Sequence, residues 1–413
     1  MVLKIAHIGD IHFSARTDRE LGDGRIINTI LQAIEEKNPD LVICTGDVFD
    51  RLEPVNSKPV ADAMRFFSSI GRIVGRDKVM IVRGTPSHDP PGALSILRPY
   101  ALTIDEGTVN LESNVARIRH LNIGNLLFPV GIYDFGGMYL LAIPAIGKTR
   151  LKIAGISSTD LISEAIGACP SDPIAIAAHV TVRNAVNEHG VPASMMDWEI
   201  STGDLVGFGQ AVTMMGHIHK FQILSEAPLA YYAGSVGRYS VGEDRKKFIV
   251  FIDINDGGSA SMEKIRLPAS PSLVANVSRD NVDQCLEAVS KLIESDPRAQ
   301  AKLKIQADVD AALVKSFIAR FGKSVIIELA GEESTGGAND NSSTTAVASV
   351  AATQIIYDMA LSPLVPQYGK ELLEKILSII VSSDGKDAAK IGSMICETIA
   401  QAKEALANAP NGN

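Results

Sequence analysis

Six acidic and imidazole side chains stand where short apolar runs of this chain end: Asp10, His12, Asp47, His179, His217 and His219. Asp10-Ile11-His12 follows the run Leu3 to Gly9. Alternate residues of an extended chain share a face, so this carboxylate and imidazole can converge on one ion. Asp47 follows LVICTG, His179 closes AIAAH, and His217 and His219 share a face in MMGHIHK. The loop Gly84-Thr85-Pro86-Ser87-His88-Asp89 follows a further apolar run. Of eight histidines, five (His12, His88, His179, His217, His219) therefore sit at or just beyond the ends of such runs. A carboxylate and imidazole mixture without nearby cysteine suits Mn²⁺, Fe²⁺ or Zn²⁺ rather than Ca²⁺ or a thiolate site. Six donors exceed what one catalytic ion with room for water can use. Two ions about 3.5–4 Å apart, sharing one carboxylate, is the economical arrangement.

The positioning elements are legible as alternating strands and helices. VLKIAHIG reads as a strand. Glu20 to Lys37 has helical apolar spacing at Leu21, Ile26, Ile27, Ile30, Leu31 and Ile34, ended by Pro39. LVICTG, a helix over Val60 to Ile70 and KVMIVRG follow, a β-α-β-α-β order that implies parallel pairing in an α/β core. Later strands LLFPVGIYDF, MYLLAIPA, PIAIAAH, AVTMMGH, FQIL, LAYYAGS and KKFIVFIDI are expected to be joined by short turns. A mixed sheet, or two sheets face to face with helices outside, should end near Asn255. Turn residues at Asp256-Gly257-Gly258-Ser259 suggest a boundary. A small α/β unit over 256–330 follows, then a Gly/Ser/Thr/Asn-rich linker over 331–345 and helical patterns over 346–413.

Composition sets limits. The chain has 413 residues, 46% hydrophobic and 21% charged, with no apolar run long enough to span a membrane. Its beginning lacks the pattern of a secretory signal. Four scattered cysteines, Cys44, Cys169, Cys285 and Cys396, fit a reducing, cytoplasmic setting. A formal charge of −9 argues against nucleic-acid binding by bulk electrostatics, so metals or a basic partner must attract any polyphosphate. Lys148, Arg150 and Lys152, in a segment read as a loop, offer a small basic patch. His7 is expected to pack within its strand, and His120 and His189 to lie in surface loops. Asp89 either orients a ligand or closes its turn. Gly234 and Ser235 should turn near the site, and Arg238 is a candidate phosphate contact.

The order D-x-H, G-D, H-D, H, G-H-x-H resembles the calcineurin-like metallophosphoesterase superfamily. LVICTGDVFD followed by Pro54, GHIHKFQ and AYYAGSVGRYSVGEDRKKFIVFID look more closely like the SbcD family of DNA double-strand-break repair nuclease subunits, over roughly residues 1–330. The resemblance implies an α/β fold: a β-sandwich flanked by helices over 1–255, a capping domain over 256–330, and a C-terminal helical region over 346–413 that docks a partner. It implies that Asp10, His12 and His219 hold one divalent ion, that His179 and His217 hold the other, and that Asp47 bridges them, with Mn²⁺ the expected metal. His88 would stand by the scissile phosphate and protonate the leaving oxygen. DNA is the implied substrate, cut as exonuclease and endonuclease. The implied partner is an SbcC-like SMC-type ATPase, with a homodimer inside a heterotetramer.

One loop departs from that pattern. The family's Gly-Asn-His-Asp supplies an asparagine ligand, whereas Gly84–Asp89 is two residues longer and has none. Anchoring on His88-Asp89 puts Ser87 in that place, as the metal ligand expected here; anchoring on Gly84 puts Thr85 there. The competing functions are a phosphatase or cyclic-nucleotide phosphodiesterase on the same fold, or a catalytically weak scaffold for the ATPase.

Overall fold

The computed structural model describes residues 2–105, 111–112, 116–123, 125–187, 199–243, 246–255 and 257–329. The expected linker at 331–345, the helices over 346–413 and His189 lie outside the described residues. In chain order the elements are β1 (Val2–Ile8), α1 (Asp18–Leu21), α2 (Arg25–Lys37), β2 (Leu41–Cys44), α3 (Lys58–Val74), β3 (Val79–Val82), β4 (Leu102–Ile104), β5 (Leu111–Glu112), β6 (Ala116–Ile123), β7 (Leu126–Asp134) and β8 (Tyr139–Ile143). Then come α4 (Lys148–Ala154), α5 (Ser158–Gly167), β9 (Ala175–His179), β10 (Thr181–Val182), β11 (Glu199–Ile200), α6 (Thr202–Val206), β12 (Val212–Gly216), β13 (Gln222–Glu226), β14 (Leu229–Tyr232), β15 (Phe248–Asn255) and β16 (Ala260–Arg266). The last are β17 (Ser272–Val277), α7 (Val282–Ser295), β18 (Gln300–Ile305), α8 (Ala311–Phe321) and β19 (Val325–Leu329).

Through Ser272 the chain forms one compact unit. Its first sheet has six strands in the order β16-β15-β1-β2-β3-β4, and its second has eight, β13-β14-β12-β9-β8-β7-β6-β5. Leu3, Ile5, Ile43 and Met80 of the first sheet share a core with Tyr133, Ala177, Met214 and Tyr231 of the second. The sheets therefore pack face to face. The outer face of the first sheet buries the apolar stripe of α2 (Ile26, Ile30, Ile34) and that of α3 (Phe66, Phe67, Ile70). Leu151, Leu161, Ile162 and Leu205 of α4, α5 and α6 cover the outer face of the second. β2, β9 and β12 are buried along their whole length, as continuous apolar runs require when both faces of a sheet are covered.

Several local expectations change. The single helix expected over Glu20–Lys37 is two helices, because Gly24 takes φ +76° as the cap of α2. α4 and α5 connect β8 to β9, where a short turn was expected, and the Lys148–Lys152 segment is helical. His120 lies in strand β6 rather than a loop. Residues 257–259 close a hairpin, with the Asn255 amide donating to Ser259 O (3.1 Å). β16 then pairs antiparallel with β15, so it extends the first sheet and contacts divide the chain between Ser272 and Leu273 instead. Among the described residues from Leu273 onward, the second unit holds a three-stranded sheet, β17-β18-β19, whose core includes Val277, Val289, Leu303, Ile305 and Phe317, with α7 and α8 supplying Val289 and Phe317. Among the described residues, no helix is long and apolar enough to cross a membrane.

Strand direction positions the site. β1, β2 and β3 run parallel, as do β9 and β12, so within each sheet their C-terminal tips emerge on one edge. Two glycines let the tips approach. A Cβ on Gly84 would lie 2.0 Å from Asp47 Oδ1 and 2.1 Å from Asp47 N, and one on Gly216 would lie 2.3 Å from Thr45 O. Gly84→Ala should therefore push the Asp47 turn aside and cost about 1–3 kcal/mol, the usual range for overpacking. Urea denaturation in EDTA checks this; an unchanged midpoint contradicts the close packing of the two loops.

Candidate metal centre

Four of the six donors sit on backbone that L-residues avoid. Among the described residues, seven non-glycine positions have positive φ, and four of them are Asp10 (φ 37°), His12 (φ 55°), Asp47 (φ 48°) and His217 (φ 99°). Each such residue costs on the order of 1–3 kcal/mol and persists only where its surroundings over-determine it. Here they do: the His12 amide donates to Asp47 O (2.9 Å), and the His217 amide to the Asp10 carboxylate (2.9 Å). The left-handed kink ends each strand and turns its side chain into the shared space.

Asp47 is central. Its Oδ1 accepts from the Thr85 amide (2.7 Å) and the Thr85 hydroxyl (3.0 Å). Its Oδ2 lies 3.5 Å from His179 Nε2 and 3.8 Å from His12 Nε2. Burial pushes this carboxyl up, but His179 and His12 outweigh it and hold Asp47 well below the usual carboxylate range. Asp10, His12 and Asp47 bring donor atoms within 4.8 Å of one another, and so do Asp47, His179 and His217. Asp47 belongs to both groups. His179 Nδ1 donates to Thr45 O (2.7 Å), which leaves Nε2 as its lone-pair nitrogen on the Asp47 side.

His12 Nε2 and His219 Nε2 approach to 2.9 Å. Two ring lone pairs face each other favourably at that distance only with a proton or a cation between them. His12 is held well below the ordinary imidazole value by burial and by His219, which favours the neutral ring that ligates metals, whereas at His219 burial lowers the ring but Glu243 outweighs it and raises it. Burial raises the Asp10 carboxyl, an effect that the neighbouring His179 and His219 oppose. The residues fit two divalent cations sharing Asp47: Asp10, His12 and His219 would hold one, and His179 and His217 the other.

The altered loop resolves differently from expectation. The amides of His88 and Asp89 both donate to Thr85 O (3.0 and 2.8 Å), so the loop folds into a tight turn. Its two extra residues are displaced outward, leaving Pro86 and Ser87 exposed. Thr85, not Ser87, reaches Asp47; the Ser87 hydroxyl meets only that of Thr85, at 3.4 Å. Ser87 is therefore not brought to the donor groups. His88 Nδ1 donates to Asp50 O (2.6 Å), and its ring meets His12 edge-on at 4.7 Å between centroids.

Other expected residues take supporting places. Asp89 accepts from the amides of Val48 (3.1 Å), Phe49 (3.1 Å) and Gly84 (3.0 Å), tying the Asp47 turn to the His88 loop. Arg238 is buried and donates to Ser270 O (2.5 Å) and to the Ser272 hydroxyl, which makes it a fold contact rather than a phosphate contact. Ser235 pairs with Gly9, and its amide donates to His219 O (3.1 Å). Arg150 stacks on Phe128 at 5.2 Å, while Lys148 and Lys152 are exposed. Sequence reasoning passed over Asp50, Tyr239, Glu243 and Lys247. The Tyr239 hydroxyl donates to Ile11 O, and its ring lies 5.2 Å from that of His12.

The family model described as calcineurin-like phosphoesterase matches residues 3–221. None of the curated proteins compared with the chain matches it. Among solved structures, Yfce, a phosphoesterase from E. coli, is 12% identical over 64% of this chain and 100% of its own, with a TM-score of 0.25. A glutamine-dependent NAD⁺ synthetase from Acinetobacter baumannii is 10% identical over 93% of this chain and 73% of its own, at TM-score 0.29. A diphosphatase from the PhnP family is 11% identical over 46% of this chain and 65% of its own, at TM-score 0.21. At those TM-scores the three likenesses carry no weight for fold or activity.

His7 lies behind the first tip, fully buried between Tyr231 OH and Thr45 Oγ1 (2.9 Å each), and burial pushes its imidazole down to about 3. Its folded value lies below the unfolded one, so the unfolded chain takes up the proton first. The stabilising neutral form is fully present above about pH 6.5 and is lost as pH falls toward 3. In EDTA, His7→Asn should flatten the fall of stability between about pH 5.5 and 4 by about 1.4 kcal/mol per pH unit, one proton's worth. Urea midpoints across pH check this, and an unchanged slope contradicts it.

Proposed function

The chain belongs to the calcineurin-like phosphoesterase family, and from that premise we propose that it is a metal-dependent DNA nuclease subunit of the SbcD type. In this reading it works with an SbcC-like SMC-type ATPase in DNA end processing and repair, as a homodimer within a heterotetramer, and uses Mn²⁺. The observation that carries the hydrolytic reading is the pair of donor groups sharing Asp47, with His88 alongside. The nuclease reading is supported by the segments LVICTGDVFD, GHIHKFQ and AYYAGSVGRYSVGEDRKKFIVFID, and by a second compact α/β unit that a small-ester phosphatase does not need.

Bound divalent cations supply polarisation of a phosphoryl oxygen and a water acidified toward neutrality. The protein supplies the rest. Thr85 occupies one Asp47 oxygen and leaves the other to serve both donor groups. The Asp50 carbonyl accepts from His88 Nδ1, so it is Nε2 that, in the doubly protonated ring, would give its proton to the leaving oxygen. The donor set also accounts for a chain of net charge −9 acting on a polyanion, because cations replace a basic surface.

A second reading has one observation in its favour. The Thr85 hydroxyl is committed to Asp47, so the loop's substitute for an amide ligand is not offered to the second cation, which favours a catalytically weak scaffold. Nucleotide release from linear DNA in Mn²⁺, set beside hydrolysis of a small phosphodiester, separates these readings. Wild type should digest DNA. Asp47→Ala should lose activity by about a thousandfold or more, and His88→Ala should still bind DNA but cut it about 10²–10⁴-fold more slowly. Activity on the small ester alone sinks the nuclease reading; no cleavage of either points to the scaffold.

A further inference from the structure

The two imidazoles that face each other across the first donor group each turn the far ring nitrogen toward a carboxylate. His12 Nδ1 lies 3.8 Å from Asp50 Oδ1, and His219 Nδ1 lies 3.8 Å from Glu243 Oε1. Neither Nδ1 makes a hydrogen bond, although both are buried from solvent. Each carboxylate is itself anchored by a cation: Arg16 Nη2 at 2.5 Å from Asp50 Oδ1, and Lys247 Nζ at 2.9 Å from Glu243 Oε2. Lys247 also donates to His219 O (3.0 Å) and Ser235 Oγ (2.7 Å), while the Ser240 amide (2.8 Å) and hydroxyl (3.0 Å) hold Glu243 Oε1. Glu243 and Lys247 are 4% and 2% exposed, so this pair has no solvent role.

We propose that Asp50 and Glu243 are matched positioning residues that set the tautomer of His12 and His219. Each draws the ring proton to Nδ1, so that both Nε2 lone pairs face one divalent cation. Metal-bound imidazoles usually give their other N–H to a carboxylate or a carbonyl, and the gap here is within about 1 Å of hydrogen-bond length. The Thr45 carbonyl does the same for His179 at 2.7 Å. Asp50 also forms a three-donor group with His12 and His88, which raises the alternative of a third ion. Arg16 speaks against it: its guanidinium already sits on the same Asp50 oxygen that faces His12.

The inference rests on the two-cation reading, and calorimetric titration of Mn²⁺ into the full chain separates the two. Wild type should bind two equivalents. Asp50→Ala should keep both but bind the tighter one about 10–100-fold more weakly. Glu243→Ala combined with Lys247→Met, which avoids an uncompensated buried lysine, should do the same. Asp50→Asn and Glu243→Gln keep an acceptor for the ring proton and should lose less. Zn²⁺-loaded, ¹⁵N-histidine-labelled wild type should show His12 and His219 protonated on Nδ1. Melting in EDTA identifies any variant that fails to fold, and the wild-type tautomers then decide. Unchanged affinity, loss of a whole equivalent in Asp50→Ala, or coordination through Nδ1 overturns the proposal. Failure of wild type to bind Mn²⁺ overturns the metal centre itself.

Discussion

The Asp47 carboxylate is the constraint on which the rest of the site depends. One oxygen takes two hydrogen bonds from Thr85 while the other faces imidazoles from two different strands. A carboxylate that buried is tolerated only where nearby groups favour its charge. His12 comes from the first sheet and His179 from the second, so Asp47 is where the two sheets of the sandwich acquire a common chemical purpose. Its turn is held from behind by Asp89, which gathers three backbone amides of the β2 and β3 loops onto one side chain. The loop that carries His88 and the loop that carries Asp47 are thereby one rigid piece.

The strain at the strand tips follows from the same requirement. An extended strand sends alternate side chains to opposite faces, and a straight continuation would carry Asp10, Asp47 and His217 away from one another. The left-handed φ values at these residues end each strand abruptly and aim the donors at one point. The cost is met by packing underneath, where β2, β9 and β12 are buried end to end. Functional geometry sits at the tips of fully buried strands.

Much of this was legible in the residues. Apolar runs ending in Asp or His identified the strand tips, because burial on both faces demands continuous hydrophobic sequence and chemistry has to wait for the edge. The same pattern allowed either a mixed sheet or two sheets with helices outside, and the calcineurin-like motif order pointed to the second. What escaped depends on distance in space. Asp50 stands three residues beyond Asp47 in TGDVFDR, yet nothing local says that its carbonyl will hold His88 and its carboxylate will face His12. Glu243 and Lys247 lie more than twenty residues from His219 and come up against it only once the chain has turned back through Ser235. The lengthened loop offered two equal alignments. The turn closed by Thr85 O chose between them by placing Ser87 outside. The helix at Lys148–Ala154 was missed because a run of basic residues resembles a solvated loop until Leu151 is seen to have a core to cover.

In the proposed centre two cations would share Asp47, one between Asp10, His12 and His219 and the other beside His179 and His217. Anomalous diffraction at the manganese edge from Mn²⁺-soaked crystals tests it without reference to any substrate. Two peaks flanking the Asp47 carboxylate, with Thr85 Oγ1 remaining on that carboxylate rather than on either ion, is the predicted result. A single peak remote from Asp47, or none at saturating Mn²⁺, would contradict it.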